Sequence, residues 1–495
     1  MVSSEKIKEI ENIYRALGVR TLINARGTVT IVGATKMLPE VKRAMDLASS
    51  HYVQIDELME GVGQKLSDLT GAEWGCVTSG ASAAITFGTL ACITGGDPDK
   101  LWKIPDLTGM KSEVIIPYYS RTAYECAARS TGAKMIAVST PDELRDAIGP
   151  NTAMVLVLTG KYSAEGPLSI EKIAALTAPR GIPILADAAA EELVVPNPHL
   201  AQGADMVAYS GGKCLRGPQC AGLLLGRKDL VQAAWLTSAP HHGFGRGHKV
   251  GREEIIGMLT AVEMWFKRDH RKENEVWTEW LEHISQKISS VSGVTTAISQ
   301  PGERLSNRFP NLEVTWDQNE IQLTGYDLEN LLWEGEPRIA VSGAGSFLPF
   351  PPNMNPNIRI NPSQMDAGEA SVVAQKLYDI LSHPPKVIAS NKSPLYDLSG
   401  QWEVMMEFHA SEVSQSFVFE QEGGVLRGSH IGGFATRNLT GSIHGSEVLI
   451  RSSYTDHGVR LNFEFTGTVK DDAMAGQVSL SEYGMAKWKA KRKKY

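Results

Sequence analysis

The sequence predicts an α/β protein on a doubly wound, mostly parallel sheet, followed by a smaller α+β unit and an antiparallel β-domain. Three observations predict it. From about residue 70 to 226, short and continuously apolar runs alternate with helical patterns, as buried strands of a helix-flanked sheet do. From Glu253 the apolar spacing lengthens to that of long helices. Beyond residue 399, apolar and polar residues alternate, with turn glycines at regular spacing.

Length and composition set the bounds. A chain of 495 residues holds two to four domains at ~100–200 residues each. With 42% apolar and 21% charged residues, it reads as an ordinary globular protein. A net charge of −7 leaves no overall basic footprint for nucleic acid, although KWKAKRKKY at the end reads as a solvated, frayed basic tail. The opening MVSSEKIKEIENIYRALG (1–18) reads as a helix without a signal peptide's apolar core. No segment approaches ~20 consecutive apolar residues, so neither a membrane span nor a membrane partner is expected. Five cysteines without Cys-x-x-Cys or His-flanked spacing argue against a disulfide framework or a metal site. The cytoplasm is the expected location.

Within a large domain over 19–270, strands are expected at GCVTSG (75–80), EVIIPYY (113–119), KMIAVST (134–140), AMVLVLTG (153–160), IPILAD (182–187), MVAYSG (206–211) and AGLLLG (221–226). A helix of several turns follows Glu253. The small α+β domain, 271–382, carries strands at LEVTW (312–316), RIAVS (338–342) and NIRIN (357–361), then a helix ending at Leu381. Pro, Ser and Asn mark a linker over 383–398. Roughly eight short strands over 399–495 suggest a barrel or sandwich. Gly400-x-Trp402 resembles the opening of lipocalin- or avidin-type barrels, though a filled core is favoured over a ligand cup.

The chemistry concentrates on Lys213 and Asp187. Asp187 closes an apolar strand, and Lys213 follows among Ser and Gly, ahead of Gly217-Pro218. By themselves these are a strand-end cap and a solvated loop lysine. Together they suit pyridoxal 5′-phosphate: the lysine holds the aldehyde, and the aspartate keeps the pyridine nitrogen protonated. VTSGASAAITFG (77–88) runs from strand through Ser79, Gly80, Ala81 and Ser82 into a helix. Free amides at such a start cradle phosphate, and Ser210 stands near the lysine. Ser79, Asp187 and Ser210 all fall at strand carboxyl ends, where ligands of such sheets bind.

LINARGTVT (22–30), YSGGKCLRGPQCAGLLLGRKDLV (209–231) and KVGREEIIGMLTAVE (249–263) carry a resemblance. From about Gly18 to Leu381 the chain resembles fold-type-I (aminotransferase-like) PLP enzymes of the selenocysteine synthase-like group. That group includes L-seryl-tRNA selenium transferase and D-glucosaminate-6-phosphate ammonia-lyase. The resemblance implies Lys213 as Schiff-base lysine and Asp187 as pyridinium partner. It implies Gly80, Ala81, Ser82 and Ser210 as phosphate holders, and at least a homodimer. Arg359, in NIRINPS, matches the place that holds a substrate carboxylate, or is an exposed strand-edge arginine. Tyr118 or Tyr119 could stack on the ring, or be core. HYVQIDELMEG (51–61) and HHGFGRGHKVG (241–251) are expected cleft walls, with His51 or His242 a possible acid.

These residues imply a lyase that removes the Cα proton of a small amino acid or amino sugar acid. β-Elimination would then release ammonia and a 2-oxo acid. The same chemistry serves a tRNA-dependent selenium transferase. LINARGTVT begins at residue 22, which leaves room before it for one helix rather than a tRNA-binding domain, and the acidic charge also favours a small substrate. Racemase, aldolase and aminotransferase reactions share the carbanion. A non-catalytic scaffold with a partner-binding β-domain is the third reading.

Overall fold

In the computed structural model the described residues are 13–341, 354–385 and 392–493. The expected N-terminal helix falls outside them up to residue 12, as do 386–391 of the expected linker.

The large lobe is a seven-stranded sheet: β2 (Trp74–Thr78), β3 (Glu113–Pro117), β4 (Lys134–Val138), β5 (Thr152–Leu158), β6 (Ile184–Asp187), β7 (Met206–Ser210) and β8 (Gly222–Gly226). Their order across the sheet is β2-β8-β7-β6-β5-β3-β4. Each of the seven apolar runs became one of these strands. All run parallel except β8, which is antiparallel to both β7 and β2. β5 and β6 are buried along nearly their whole length, which explains apolar runs without alternation.

Helices α1 (Pro39–Ser49), α2 (Ile55–Thr70), α3 (Ala81–Thr94), α4 (Ile170–Thr177), α5 (Lys228–Leu236) and α6 (Arg252–Trp265) accompany the sheet. All but two residues of α3 are buried, so it is apolar on every side rather than amphipathic. One edge of the sheet gathers the ends of β2, β3, β5, β6 and β7 together with the start of β8.

The small lobe holds α7 (His270–Ile288), α8 (Gly325–Glu334) and α9 (Glu369–Ser382) against the sheet β12-β10-β9, with β9 (Val294–Ser299), β10 (Asn311–Trp316) and β12 (Asn357–Ile360) antiparallel. β9 was not anticipated: its exposed residues alternate, but Val-Thr-Thr-Ala-Ile-Ser has few large apolar side chains. β11 (Arg338–Val341) instead pairs in parallel with the early strand β1 (Leu22–Ala25). Ile23 and Ala25 thereby join Leu312, Val314 and Leu377 in one core.

The last hundred residues form a closed eight-stranded barrel. Its strands are β13 (Gly400–Glu407), β14 (Glu412–Glu422), β15 (Val425–Ile431), β16 (Thr436–His444), β17 (Glu447–Asp456), β18 (Val459–Lys470), β19 (Ala473–Ser479) and β20 (Met485–Arg492). The interior is filled: Phe417, Phe465 and Trp488 meet edge to face at 5.0–6.0 Å. The basic tail is a correction. Lys487, Lys489 and Lys491 alternate with buried Ala486, Trp488 and Ala490 on β20, which closes the barrel against β13. Alternation, obscured by the run of charge, decided its fate.

The barrel seats on the large lobe. At the β17–β18 hairpin, a Cβ on Gly458 would stand 2.5 Å from the Thr122 nitrogen. Thr122 follows β3 at the edge where the strands end.

Candidate active site

Asp187 is the last residue of β6 and Ser210 the last of the neighbouring β7. Three residues beyond Ser210, Lys213 hangs from a tight loop. Gly211 donates to the Ala221 carbonyl at 2.8 Å, Gly217 to the Gly211 carbonyl at 2.9 Å, and Arg216 to the Lys213 carbonyl at 3.0 Å. The loop needs small residues: a Cβ on Gly211 would lie 2.7 Å from the Ala221 oxygen.

Asp187 is buried, and its Oδ1 accepts the Ala189 amide at 3.1 Å. Burial raises its pKa, opposed by that hydrogen bond and by Lys213, while Glu191 adds to the rise. Lys213 is half-buried. Burial lowers its pKa, opposed by Asp187 and then Cys214. Each is therefore the other's counter-charge in a site that resists charge. The neighbouring Cys214 thiol is pushed up to about 12, chiefly by burial, and stays neutral.

The Ser79-Gly80-Ala81-Ser82 segment forms the third part. Gly80 caps α3 with φ +108, and no side chain caps the helix. The amides of Ala81, Ser82 and Ala83 have no acceptor among the described residues, as expected of a first helical turn. Beneath them passes β8. A Cβ on Gly222 would stand 2.6 Å from the Gly80 carbonyl carbon and 2.7 Å from the Ala81 nitrogen. An uncapped helix start backed by a strand without a side chain makes an anion cradle.

The other expected residues divide. Tyr119 donates its hydroxyl to the Leu168 carbonyl at 2.7 Å, whereas Tyr118 is exposed. His51 and His242 are exposed, and His51 Nδ1 lies 3.5 Å from the Leu47 carbonyl. The two expected cleft walls are tied together at Asp56: Trp235 Nε1 donates to it at 2.9 Å, and His241 Nε2 lies 3.2 Å away. Arg359 stands on β12, exposed and cross-strand from Glu313, on the face opposite buried Ile358 and Ile360.

Sequence reasoning passed over a buried pair beside Asp187. Glu191 Oε2 and His199 Nε2 are 2.6 Å apart, and the Glu191 carbonyl accepts from Cys214 Sγ at 3.1 Å. The run Asp-Ala-Ala-Ala-Glu-Glu after β6 was the available signal. A cleft of about 800 Å³ lies beside this pair, lined by Gly160, Lys161, Glu191, His199 and Arg304 but by neither Lys213 nor Asp187. No group of residues able to hold a metal ion occurs among the described residues.

The chain is similar to known proteins along most of the two lobes. The sequence model of the L-seryl-tRNA selenium transferase family matches residues 127–291. D-glucosaminate-6-phosphate ammonia lyase of Salmonella typhimurium (strain 14028s / SGSC 2262) is 31% identical over 382 residues, covering 75% of this chain and 98% of that enzyme. The 5′-C-glycyluridine monooxygenase-decarboxylase of a Streptomyces species is 26% identical over 299 residues, covering 58% of this chain and 73% of that one. A solved structure of D-glucosaminate-6-phosphate ammonia-lyase superposes with a TM-score of 0.66 at 30% identity, covering 75% and 98% of the two chains.

Proposed function

We propose that this chain, which belongs to the PLP-dependent family of D-glucosaminate-6-phosphate ammonia lyase, is a lyase for a small amino acid or amino sugar acid. It removes the Cα proton, eliminates a group from Cβ, and releases ammonia and a 2-oxo acid. The observation that carries the reading is one edge of the sheet bearing Lys213, Asp187 and the uncapped start of α3.

The residues fit pyridoxal 5′-phosphate. Gly80, Ala81, Ser82 and Ser210 would hold its phosphate through amides and hydroxyls at the uncapped start of α3, which the bare Gly222 lets sit low on the sheet. Asp187 would face its pyridine nitrogen, and Lys213 would hold its aldehyde. Bound there, the cofactor supplies an electron sink for cleavage of a Cα–H bond. Lys213, whose burial favours the neutral amine, takes the Cα proton at Nζ. The Ala189 amide that donates to Asp187 opposes the burial that raises its pKa, and a cationic ring nitrogen would oppose it further. Glu191 and His199, locked to each other, hold the segment after Asp187 in place. Arg359 receives the substrate carboxylate, for which a guanidinium fork is suited.

The chain is further proposed to work in the cytoplasm as a homodimer or larger assembly. Exposed Ile31, Leu47, Tyr52 and Val53 near the cleft walls support a partner subunit there. Among the described residues no helix is long and apolar enough to cross a membrane. The selenium transferase reading rests on the family match over 127–291.

A panel of D- and L-amino acids and amino sugar acids, assayed for ammonia and 2-oxo acid, tests the proposal. Purified protein should show the visible Schiff-base band, and Lys213→Ala should lose it. Protein that takes up no cofactor would overturn the reading, and retention on tRNA at physiological salt would move it to the transferase.

A further inference from the structure

The barrel interior contains a polar cluster for which the proposed reaction has no use. It lies at the end bounded by the β15–β16 turn and the β17–β18 hairpin, the end that seats on Thr122. Arg437 of β16 is 6% exposed, and its Nε and Nη1 are buried without a hydrogen-bond partner among the described residues. The guanidinium is held between two rings, with its centre 4.6 Å from Tyr454 and 4.7 Å from Phe463.

No counter-charge is recorded for it among the described residues. On β17 and β18, Glu464 pairs with Arg451 at 2.8 Å and Asp456 with His457 at 2.7 Å. His430, alongside, is committed as a neutral ring. Its Nδ1 lies 2.7 Å from Ser452 Oγ and its Nε2 bonds to Gln415. Burial and then Arg437 push its pKa down to about 3. A buried guanidinium with no anion is strongly unfavourable unless an anion arrives. Its planar fork matches a carboxylate or phosphate.

The cover over this fork is slight. Gly432 donates to the Ala435 carbonyl at 2.9 Å, closing a short turn. A Cβ on Gly432 would stand 2.7 Å from Arg437 Nη1, so bare backbone lies against the guanidinium. Phe434, at the tip of the turn, is 100% exposed. Two adjacent glycines and a tip without contacts allow the turn to lift.

We propose that this end of the barrel is a binding site for the oxyanion of a small molecule, a carboxylate or a phosphate, gripped by Arg437 beneath the Gly432–Ala435 turn. The site is separate from the cofactor cradle, and its existence does not depend on the lyase reading.

The test uses the PLP-loaded holoenzyme, so that the cofactor's phosphate cradle is filled. Inorganic phosphate and pyruvate are titrated separately by calorimetry, with wild type, Arg437→Met and Arg437→Lys. Saturable binding weakened at least ~10-fold by Arg437→Met, and partly restored by Arg437→Lys, supports the site. Whichever probe binds identifies the oxyanion. No binding of either probe, or binding unchanged in Arg437→Met, overturns it. A second measurement needs no variant: phenylglyoxal modification of Arg437 in wild type, read by mass spectrometry. Modification slowed by the binding probe supports the proposal. An Arg437 that never reacts, or reacts at the same rate with probe present, overturns it.

Discussion

Gly222 passes beneath Gly80 so closely that a single methyl group on Gly222 would stand 2.6 Å from the Gly80 carbonyl carbon. The start of α3 can therefore sit low over β8 because two facing positions lack side chains. Gly222→Ala should push the Gly80–Ala81 turn upward. PLP affinity should fall at least ~10-fold while the fold persists, with a loss of about 1–3 kcal/mol from overpacking. Cofactor titration by absorbance, alongside thermal melting, checks both numbers.

Asp187→Asn preserves shape but removes the negative charge that opposes the depression of the Lys213 pKa. Turnover should fall by at least ~10²-fold, the scale of a lost proton-transfer partner. Bound cofactor should remain detectable. Equal turnover in the two proteins would remove Asp187 from the chemistry.

For Arg359 the expected signature is a division between constants. If Arg359 binds the substrate carboxylate as proposed, Arg359→Met should raise KM about 10-fold or more with kcat changed little. A fall in kcat at constant KM would place its role elsewhere.

Glu273 supplies a pH test. Arg268 meets it with Nε at 2.9 Å and Nη2 at 2.7 Å, while Arg268 Nη1 donates to the Cys214 carbonyl at 3.0 Å. Burial alone would raise the Glu273 pKa, but bonds from His270 and Arg268 outweigh it and hold the carboxyl at about 2. The folded value lies below the unfolded one. The stabilisation is therefore present above pH ~4.5 and lost as pH falls towards ~2. Glu273→Gln should lower stability at neutral pH by about 2–3 kcal/mol and flatten that acid limb in denaturant melts.

His430 gives a second acid signature, at higher pH. Its folded pKa, about 3, lies below the ordinary histidine value because of burial and then Arg437. Stability from this group is present above pH ~6.5 and lost as pH falls towards ~3. His430→Gln should remove that slope. Tryptophan fluorescence reports it through Trp488, whose ring lies 5.5 Å from Phe465 in the same core.

Much of this was readable from the chain because the large lobe obeys local rules. Strands buried on both faces must be apolar, and β2, β5 and β6 are, while edge strand β4 stays largely exposed. That Asp187 ends a strand and the Ser79–Ser82 turn opens a helix was legible because glycines and a strand-end acid are confined to few arrangements. Glu191 and His199 escaped because their partnership depends on tertiary approach, not spacing. The direction of β8 was equally hidden: an apolar run carries no sign of its polarity. The basic tail misled because charge density masked a period of two.

The reversal of β8 has a mechanical consequence. Had it run with its neighbours, the chain after Lys213 would have crossed over to the far edge before entering the strand. Instead, the segment from Ser210 to Gly222 leaves and re-enters the sheet at one edge, between strands that are hydrogen-bonded to each other. It is an arch with both feet on the same beam. Both feet of the arch stand on the sheet, and its one side-chain tether to the small lobe among the described residues runs from the Cys214 carbonyl through Arg268 to Glu273.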